Sequence, residues 1–377
     1  MCRTRSGLTG LEPDEKIKTL KGVDRREFMG FCATIAATLG LSPAFVPRIA
    51  EAVEGAAKKP SVIWLHFQEC TGDSEAFLCS SYPSVEELVL NILSVDYQET
   101  IMAASGTQAE DALKKAMADN KGKYLVIVEG AIPMGTPPGP GGKPGAFCTI
   151  GGKTAYDLAK EVTAGAAAVI CVGTCASFGG VQAQRPNPTG AVGVGDALGI
   201  PTINIPGCPH NAINSVATIV NYLLLGSLPK TDRHGRPLFA FAKRIHDHCP
   251  RRAHFDAGQY VERFGDDGAK KNWCLYKMGC KGPQTYHNCS LVEYNDGTSW
   301  PIKGGHGCVG CSEPDFWDTM QPFYERLPNI HVPGVEATAD KVGFTLVGAA
   351  AAGAAVHAAY TFANRHKIGE TDKKEGE

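Results

Sequence analysis

Residues 61–75 read SVIWLHFQECTGDSE. Ser61 to Phe67 is a nearly continuous apolar run, the pattern of a parallel strand covered on both faces. The run gives way to a Thr-Gly turn, and Cys70, a possible metal ligand, stands just beyond its end. Asp73 occupies the place where a second cysteine would complete a C-x-x-C pair. Three more runs of the same kind follow: Tyr124 to Ala131, Ala167 to Gly173 and Pro201 to Ile205. Between them lie helical patterns. Ser84-Val85-Glu86-Glu87 reads as a capping box opening a helix through about Ser94. Thr107 to Asn120, Lys153 to Thr163 and Asn211 to Leu225 read as further helices. Strand and helix alternate, which predicts an α/β domain with a doubly wound parallel sheet. Cys70, Cys175 (GTCASFGG) and Cys208 (IPGCPH) each follow a strand. They are expected at the carboxyl edge of the sheet, where open α/β sheets bind ligands.

The chain has 377 residues, enough for two domains and a sizeable core. Charge is nearly balanced, with 37 basic and 39 acidic residues, so nothing suggests a nucleic-acid partner. Fourteen cysteines are unusual, and seven of them fall between Cys208 and Cys311. From about 231 to 330 the regular periodicity fades and Gly, Pro, Cys and aromatic residues dominate. Such a segment has little apolar packing of its own and is expected to fold around bound inorganic cofactors. The Pro/Gly stretch Gly135 to Gly145 reads as a surface excursion; no strand–helix junction or Gly-Lys-Thr signature makes it a phosphate loop.

Three constellations carry chemistry. His246-x-x-Cys249 with Cys274 and Cys280 supplies four soft or borderline ligands, as a metal or cluster site needs. Cys289 with Cys308-x-x-Cys311 supplies three thiolates and no obvious fourth ligand, which suits a cluster lacking one iron better than structural zinc. Cys70, Cys175 and Cys208 form the third. Any one group could be buried cysteine acting as a small hydrophobe; three in one chain argue against that.

Two segments are expected outside the globular fold. Arg25-Arg26 precedes an uncharged run from Phe28 to Leu41 of 14 residues, too short to span a bilayer but suited to a signal sequence. The twin arginine points to the Tat pathway, which carries folded proteins. Val342 to Asn364 is 23 residues without a formal charge, long enough to cross a hydrocarbon core. Arg365, Lys367, Lys373 and Lys374 follow it, which places the tail in the cytoplasm and the body outside.

The motifs ECTG, GTCA, PGCP, IHDHC-x-RR-x-HFDAGQ, WCLYKMGCKGP and GHGC-x-GCSEP are together highly specific. Through them the chain resembles the electron-transferring small subunit of membrane-bound, periplasmic nickel–iron uptake hydrogenases. The resemblance runs from about Ser61 to Leu327 and extends to the leader and the C-terminal anchor. It implies a twin-arginine signal region over 1–55 and a flavodoxin-like domain over 56–230. A mostly irregular, cysteine-rich domain over 231–335 and a transmembrane anchor over 342–364 complete the chain. It further implies a distal [4Fe–4S] cluster on His246, Cys249, Cys274 and Cys280 and a medial [3Fe–4S] cluster on Cys289, Cys308 and Cys311. A proximal [4Fe–4S] cluster would take Cys70, Cys175, Cys208 and one more ligand. The partners implied are a large subunit holding the nickel–iron centre and a membrane cytochrome b or other quinone-linked subunit. Electrons from H₂ would pass from proximal to medial to distal. No residue of this chain is expected to be catalytic, because it lacks the paired C-x-x-C motifs of the large subunit.

The family normally has cysteine where Asp73 stands. Three readings stay open: Asp73 ligates the fourth iron as a harder oxygen donor, Cys79 supplies a sulfur after rearrangement, or the ligand is missing. Gly72 and Gly180 stand where some oxygen-tolerant members carry extra cysteines, so a six-cysteine cluster is not expected. Cys148 and Cys171 read as core or loop cysteines, and Cys2 and Cys32 as leader residues. Glu69 and Glu75 flank the proximal site and read as solvated or capping carboxylates, with cluster tuning or proton relay as the other reading. His357, inside the membrane segment, reads either as a contact to a haem-bearing partner or as a helix-packing residue. Two rival classes are an exported zinc or disulfide protein, and the related cluster-bearing subunit of a respiratory NADH dehydrogenase, which would lack the second cysteine-rich domain.

Overall fold

The structure is a computed structural model and describes residues 25–54, 59–80, 93–139, 142–295, 297–326, 330–332, 335–337 and 339–374. Five parallel strands form the central sheet: β1 (Ser61–His66), β2 (Ser94–Gln98), β3 (Leu125–Glu129), β4 (Ala168–Val172) and β5 (Ile203–Ile205). Their spatial order is β2-β1-β3-β4-β5. Every residue of β1, β3, β4 and β5 is buried, as continuous apolar runs require. Alternate side chains point to opposite faces and build two apolar clusters. One holds Val62, Trp64, Leu125 and Ile127, and the other Ile63, Leu65, Val126 and Val128.

β2 was not legible as a strand. The helix expected from Ser84 to about Ser94 falls almost wholly on residues outside the described set, and Ser94 itself begins β2. SVDYQ is a half-exposed edge strand, paired on one side only, and so lacks an apolar run. The other helices stand where their patterns place them: α4 (Thr107–Asp119), α5 (Ala155–Thr163) and α7 (Ala212–Leu225). Two short helices follow strand ends, α3 (Gly72–Leu78) after β1 and α6 (Gly173–Phe178) after β4.

The twin-arginine segment departs from expectation. It forms a helix, α1 (Arg25–Thr38), which with α2 (Val46–Glu54) packs on α7 inside the globular body. Phe28, Phe31, Cys32 and Ile35 are buried in the first core cluster. The physical reason lies in α7. Its sequence, AINSVATIVNYLLL, is apolar on more than the face the sheet can cover, and the leader helices remove that surface from water.

Beyond α7 the chain is mostly irregular, as expected. A small core of Ile245, Val261, Leu275, Trp300 and Ile302 also includes Cys289 and Cys308. Buried Arg236 helps tie this region together. It pairs with Asp232 and Glu313, donates to the Ser312 carbonyl at 3.0 Å, and lies over the rings of Phe241 and Tyr286. The α/β and cysteine-rich regions form one unit, Met1–Glu325. The second unit, Arg326–Glu377, contains an antiparallel hairpin of β6 (Ile330–Val332) and β7 (Val335–Ala337) and the helix α8 (Ala339–Lys374). Within α8, Val342–Asn364 is 23 residues long, apolar enough to cross a membrane and unburied, with Phe344, Leu346, Val356 and Phe362 exposed.

Candidate metal centres

The order of strand addition reverses between β1 and β3, so the loops leaving their carboxyl ends diverge and open a crevice. Glu129, the last residue of β3, fills the bottom of it and is fully buried. Its carboxylate accepts from the backbone N–H groups of Asp73 and Ser74 at 2.9 and 3.0 Å and from the Ser74 hydroxyl. Three donors on one buried carboxylate lock the first turn of α3, and with it Asp73, against the sheet edge.

Asp73 is itself buried. One oxygen, Oδ1, accepts from the His210 backbone N–H at 2.6 Å and lies 2.9 Å from His210 Nδ1. The other, Oδ2, lies against Gly173, where a Cβ would stand only 1.9 Å away. Cys175 sits on α6 just after Gly173, and Cys208 is two residues before His210. Burial pushes the thiols of Cys175 and Cys208 up to about 12, and the carboxylate of Asp73 and the sulfur of Cys70 add to it in both. Cys70, Asp73, Cys175 and Cys208 therefore crowd together, a donor set that an iron–sulfur core would hold in its deprotonated form. Cys70 and Cys208 are exposed on the chain alone. A side chain at Gly180 would meet Cys175 Sγ at 2.5 Å, and one at Gly72 would meet Cys70 Sγ at 3.1 Å, so both glycines border this site.

Cys79 is not brought to it. It caps the far end of the seven-residue α3 whose first turn carries Asp73. Glu75 is exposed on the same helix, in keeping with a solvated carboxylate. Glu69 is not solvated: it lies 3.4 Å from His66 Nδ1, and its Oε2 is buried without a partner. Burial, then the neighbouring Glu129, raises its pKa. Cys171 is buried in the second apolar cluster and Cys148 packs against it, as expected of core and loop cysteines. His357 is exposed on α8.

His246, Cys249, Cys274 and Cys280 line one small pocket, with Arg251 and Ile302 in its wall. Burial raises Cys274 to about 11, with Cys280 and Cys249 as further causes. Burial, then Arg252, lowers His246, which favours the neutral imidazole that a metal requires. Arg251 is the local countercharge, held by the Trp273 carbonyl at 3.0 Å and Asn272 Oδ1 at 3.1 Å.

Cys289, Cys308 and Cys311 form the third group. Cys289 and Cys308 are buried, and burial is the first cause that raises all three thiols. Hydrogen bonds join this group to both others. Cys308 N–H donates to Cys280 Sγ at 3.3 Å. Thr174 Oγ1, next to Cys175, donates to the Cys311 carbonyl. The three-cysteine group thus adjoins each of the other two.

Residues 241–324 match the family model for the C-terminal region of the NiFe/NiFeSe hydrogenase small subunit, and residues 70–222 match that of the NADH ubiquinone oxidoreductase 20 kDa subunit. The quinone-reactive Ni/Fe-hydrogenase small chain of Wolinella succinogenes is 47% identical over 346 residues, covering 90% of this chain and 96% of that protein. The chain belongs to the nickel–iron hydrogenase small-subunit family. The uptake hydrogenase small subunit of Azotobacter vinelandii is also 47% identical, over 95% of this chain and 98% of its own length. Among solved structures, the [NiFeSe]-hydrogenase of Desulfomicrobium baculatum superposes with a TM-score of 0.66 at 33% identity, over 72% of this chain and all of that one. This small subunit is therefore part of a hydrogenase whose active site lies in the large subunit. Small subunits of this family carry iron–sulfur clusters. The match to the NADH dehydrogenase subunit stops at 222, so the cysteine-rich region is what separates the two families here.

Proposed function

We propose that this chain is the electron-transfer subunit of a respiratory, H₂-oxidising nickel–iron hydrogenase. Cys70, Asp73, Cys175 and Cys208 would hold a proximal [4Fe–4S] cluster. Cys289, Cys308 and Cys311 would hold a medial [3Fe–4S] cluster, and His246, Cys249, Cys274 and Cys280 a distal [4Fe–4S] cluster. When bound, such clusters supply one-electron transfer, here from the large subunit through proximal, medial and distal sites to an acceptor. The observation that carries the reading is three ligand groups side by side, the three-cysteine group joined to the others by the Cys308 N–H to Cys280 Sγ and by Thr174 to the Cys311 carbonyl. The chain's own part is to hold each donor in place, exclude water and set the local charge. Asp73 fits the fourth proximal position because His210 occupies Oδ1, while Oδ2 faces Gly173 at the start of α6, the helix that carries Cys175.

The strand order β2-β1-β3-β4-β5 supports reading 56–230 as a flavodoxin-like domain, followed by a cluster domain over 231–335. The twin arginine and the apolar α8 segment support export by the Tat pathway to the periplasmic side, with 342–364 as anchor. The name of the Wolinella relative favours a quinone-linked acceptor, such as a membrane cytochrome b. A chain ending at residue 341 is expected to leave the hydrogenase soluble in the periplasmic fraction, with H₂-dependent dye reduction retained and quinone reduction lost. Retention in the membrane fraction would remove the anchor from the reading.

The test is iron content and EPR of the purified complex, oxidised in air and then reduced under H₂. About eleven irons per chain, with an oxidised [3Fe–4S] signal and [4Fe–4S] signals under H₂, are expected. Asp73→Ala is expected to lose one iron and to give a second [3Fe–4S] signal. An unchanged iron count and spectrum in that variant would rule Asp73 out as a ligand, and a complex without iron would overturn the reading as a whole.

A further inference from the structure

Among the described residues, one sulfur of the three-cysteine group faces a side-chain nitrogen. Cys308 Sγ accepts from the Gly310 N–H at 3.4 Å and lies 3.6 Å from the Thr285 hydroxyl. Cys289 Sγ instead lies 2.9 Å from Nδ1 of His287. The imidazole is buried, and Phe241 packs edge-on against it with ring centroids 4.9 Å apart. The backbone on either side is pinned. His287 N–H donates to the Lys243 carbonyl at 3.2 Å, and Asn288 exchanges amide hydrogen bonds with Asn214 at 3.0 and 2.9 Å. The ring therefore has little freedom to turn away from the sulfur.

We propose that His287 tunes the medial cluster: its Nδ1–H donates to the Cys289 sulfur and raises the potential at which that cluster accepts an electron. The inference rests on the assignment of Cys289 to a cluster made above. A sulfur bound to iron carries no proton. At 2.9 Å two lone pairs would repel, so the proton must sit on the nitrogen. That choice leaves Nε2 as a bare acceptor, and Nε2 is indeed buried without a partner. Such an orphan is costly, and it marks an interaction on the other side of the ring that outweighs it. An N–H aimed at a thiolate favours the more negative form, and reduction adds negative charge to the cluster, so the donor favours the reduced state. Because this donor is a side chain, it is removable without touching the backbone that places the ligands.

The experiment is an EPR-monitored redox titration of the [3Fe–4S] signal in the purified holoenzyme and in H287L and H287Q. H287L is expected to shift the oxidised-to-reduced equilibrium about tenfold toward the oxidised form, a midpoint about 59 mV lower for one electron. H287Q keeps an N–H donor and is expected to recover part of that shift. Pulsed ENDOR of the parent in H₂O and D₂O is expected to show an exchangeable proton coupled to the cluster, lost in H287L. An unchanged midpoint in H287L with the signal intact overturns the proposal. If H287L does not retain the cluster, the parent labelled with ¹⁵N-histidine decides, and the absence of a histidine nitrogen coupled to the [3Fe–4S] signal likewise overturns it. A parent without any [3Fe–4S] signal would instead sink the cluster assignment on which the proposal stands.

Discussion

Replacing Gly173 by alanine is expected to remove the proposed proximal cluster while leaving the rest of the fold standing. Gly173 has φ +80°, a conformation that costs an L-residue roughly 1–2 kcal/mol. That strain alone would be tolerable in a domain of ordinary stability. The decisive effect is steric, since the added Cβ would stand 1.9 Å from Asp73 Oδ2 and 2.5 Å from its carboxyl carbon. Asp73 cannot retreat, because His210 holds Oδ1 and Glu129 holds its backbone N–H. Either Asp73 is driven off its position or α6, carrying Cys175, moves outward; both break the four-donor set. Iron is expected to fall from about eleven to about seven per chain, with H₂-dependent turnover down by two or more orders of magnitude. Gly199→Ala is the control. Gly199 has φ +65° but no atom within 4 Å of a Cβ there, so it carries the same backbone strain without the collision. Its iron content is expected to be unchanged. If G173A and G199A behave alike, backbone strain and not the Asp73 contact explains the loss.

Lys281→Met is expected to lower the midpoint potentials of two clusters at once. Lys281 is buried, with about 1% of its surface exposed. Its Nζ donates to the Pro322 carbonyl at 2.9 Å and to the Glu325 carbonyl. Burial lowers its pKa, while Cys280 and Cys308, one from each of two ligand groups, oppose that. An ammonium so placed favours negative charge on both neighbours. At an effective dielectric near 20 its removal is worth on the order of 1–2 kcal/mol at each, or about 40–90 mV for a one-electron couple. The variant also removes the hydrogen bonds from Nζ to the Pro322 and Glu325 carbonyls, at about 1 kcal/mol each, so a lower thermal midpoint is expected as well. The outcome to look for is a parallel downward shift of the distal and medial signals. H287L is expected to move the medial one alone. A shift in neither signal, with the clusters intact, would mean that the ammonium's field is already screened.

Much of the site was legible from ligand chemistry. Thiolates and an imidazole at metal-binding spacings, in a stretch too poor in apolar residues to fold by itself, announced bound inorganic cofactors before any fold was known. The edge on which Cys70, Cys175 and Cys208 stand followed from strand patterns, because apolar runs end where loops begin. Glu69 was less legible. A carboxylate beside a cysteine reads as solvated, and its raised pKa depends on burial and on Glu129, which arrives from another strand. His287 gave no signal at all: a histidine two residues from a cysteine has no spacing that distinguishes a donor from a bystander.

The sequence by itself determined the alternation of strand and helix, the ligand types, the family and the length of the C-terminal apolar helix, because each is written in local order or in motifs. Only the tertiary structure decided that β2 is an edge strand, that α1 packs on α7, and that Asp73 is gripped by His210 and Glu129. The same holds for the Cys308 N–H and the Thr174 hydroxyl, which tie the three-cysteine group to its two neighbours. Each of these is a contact between residues distant in the chain, and its energy depends on burial and on a partner that no local pattern encodes.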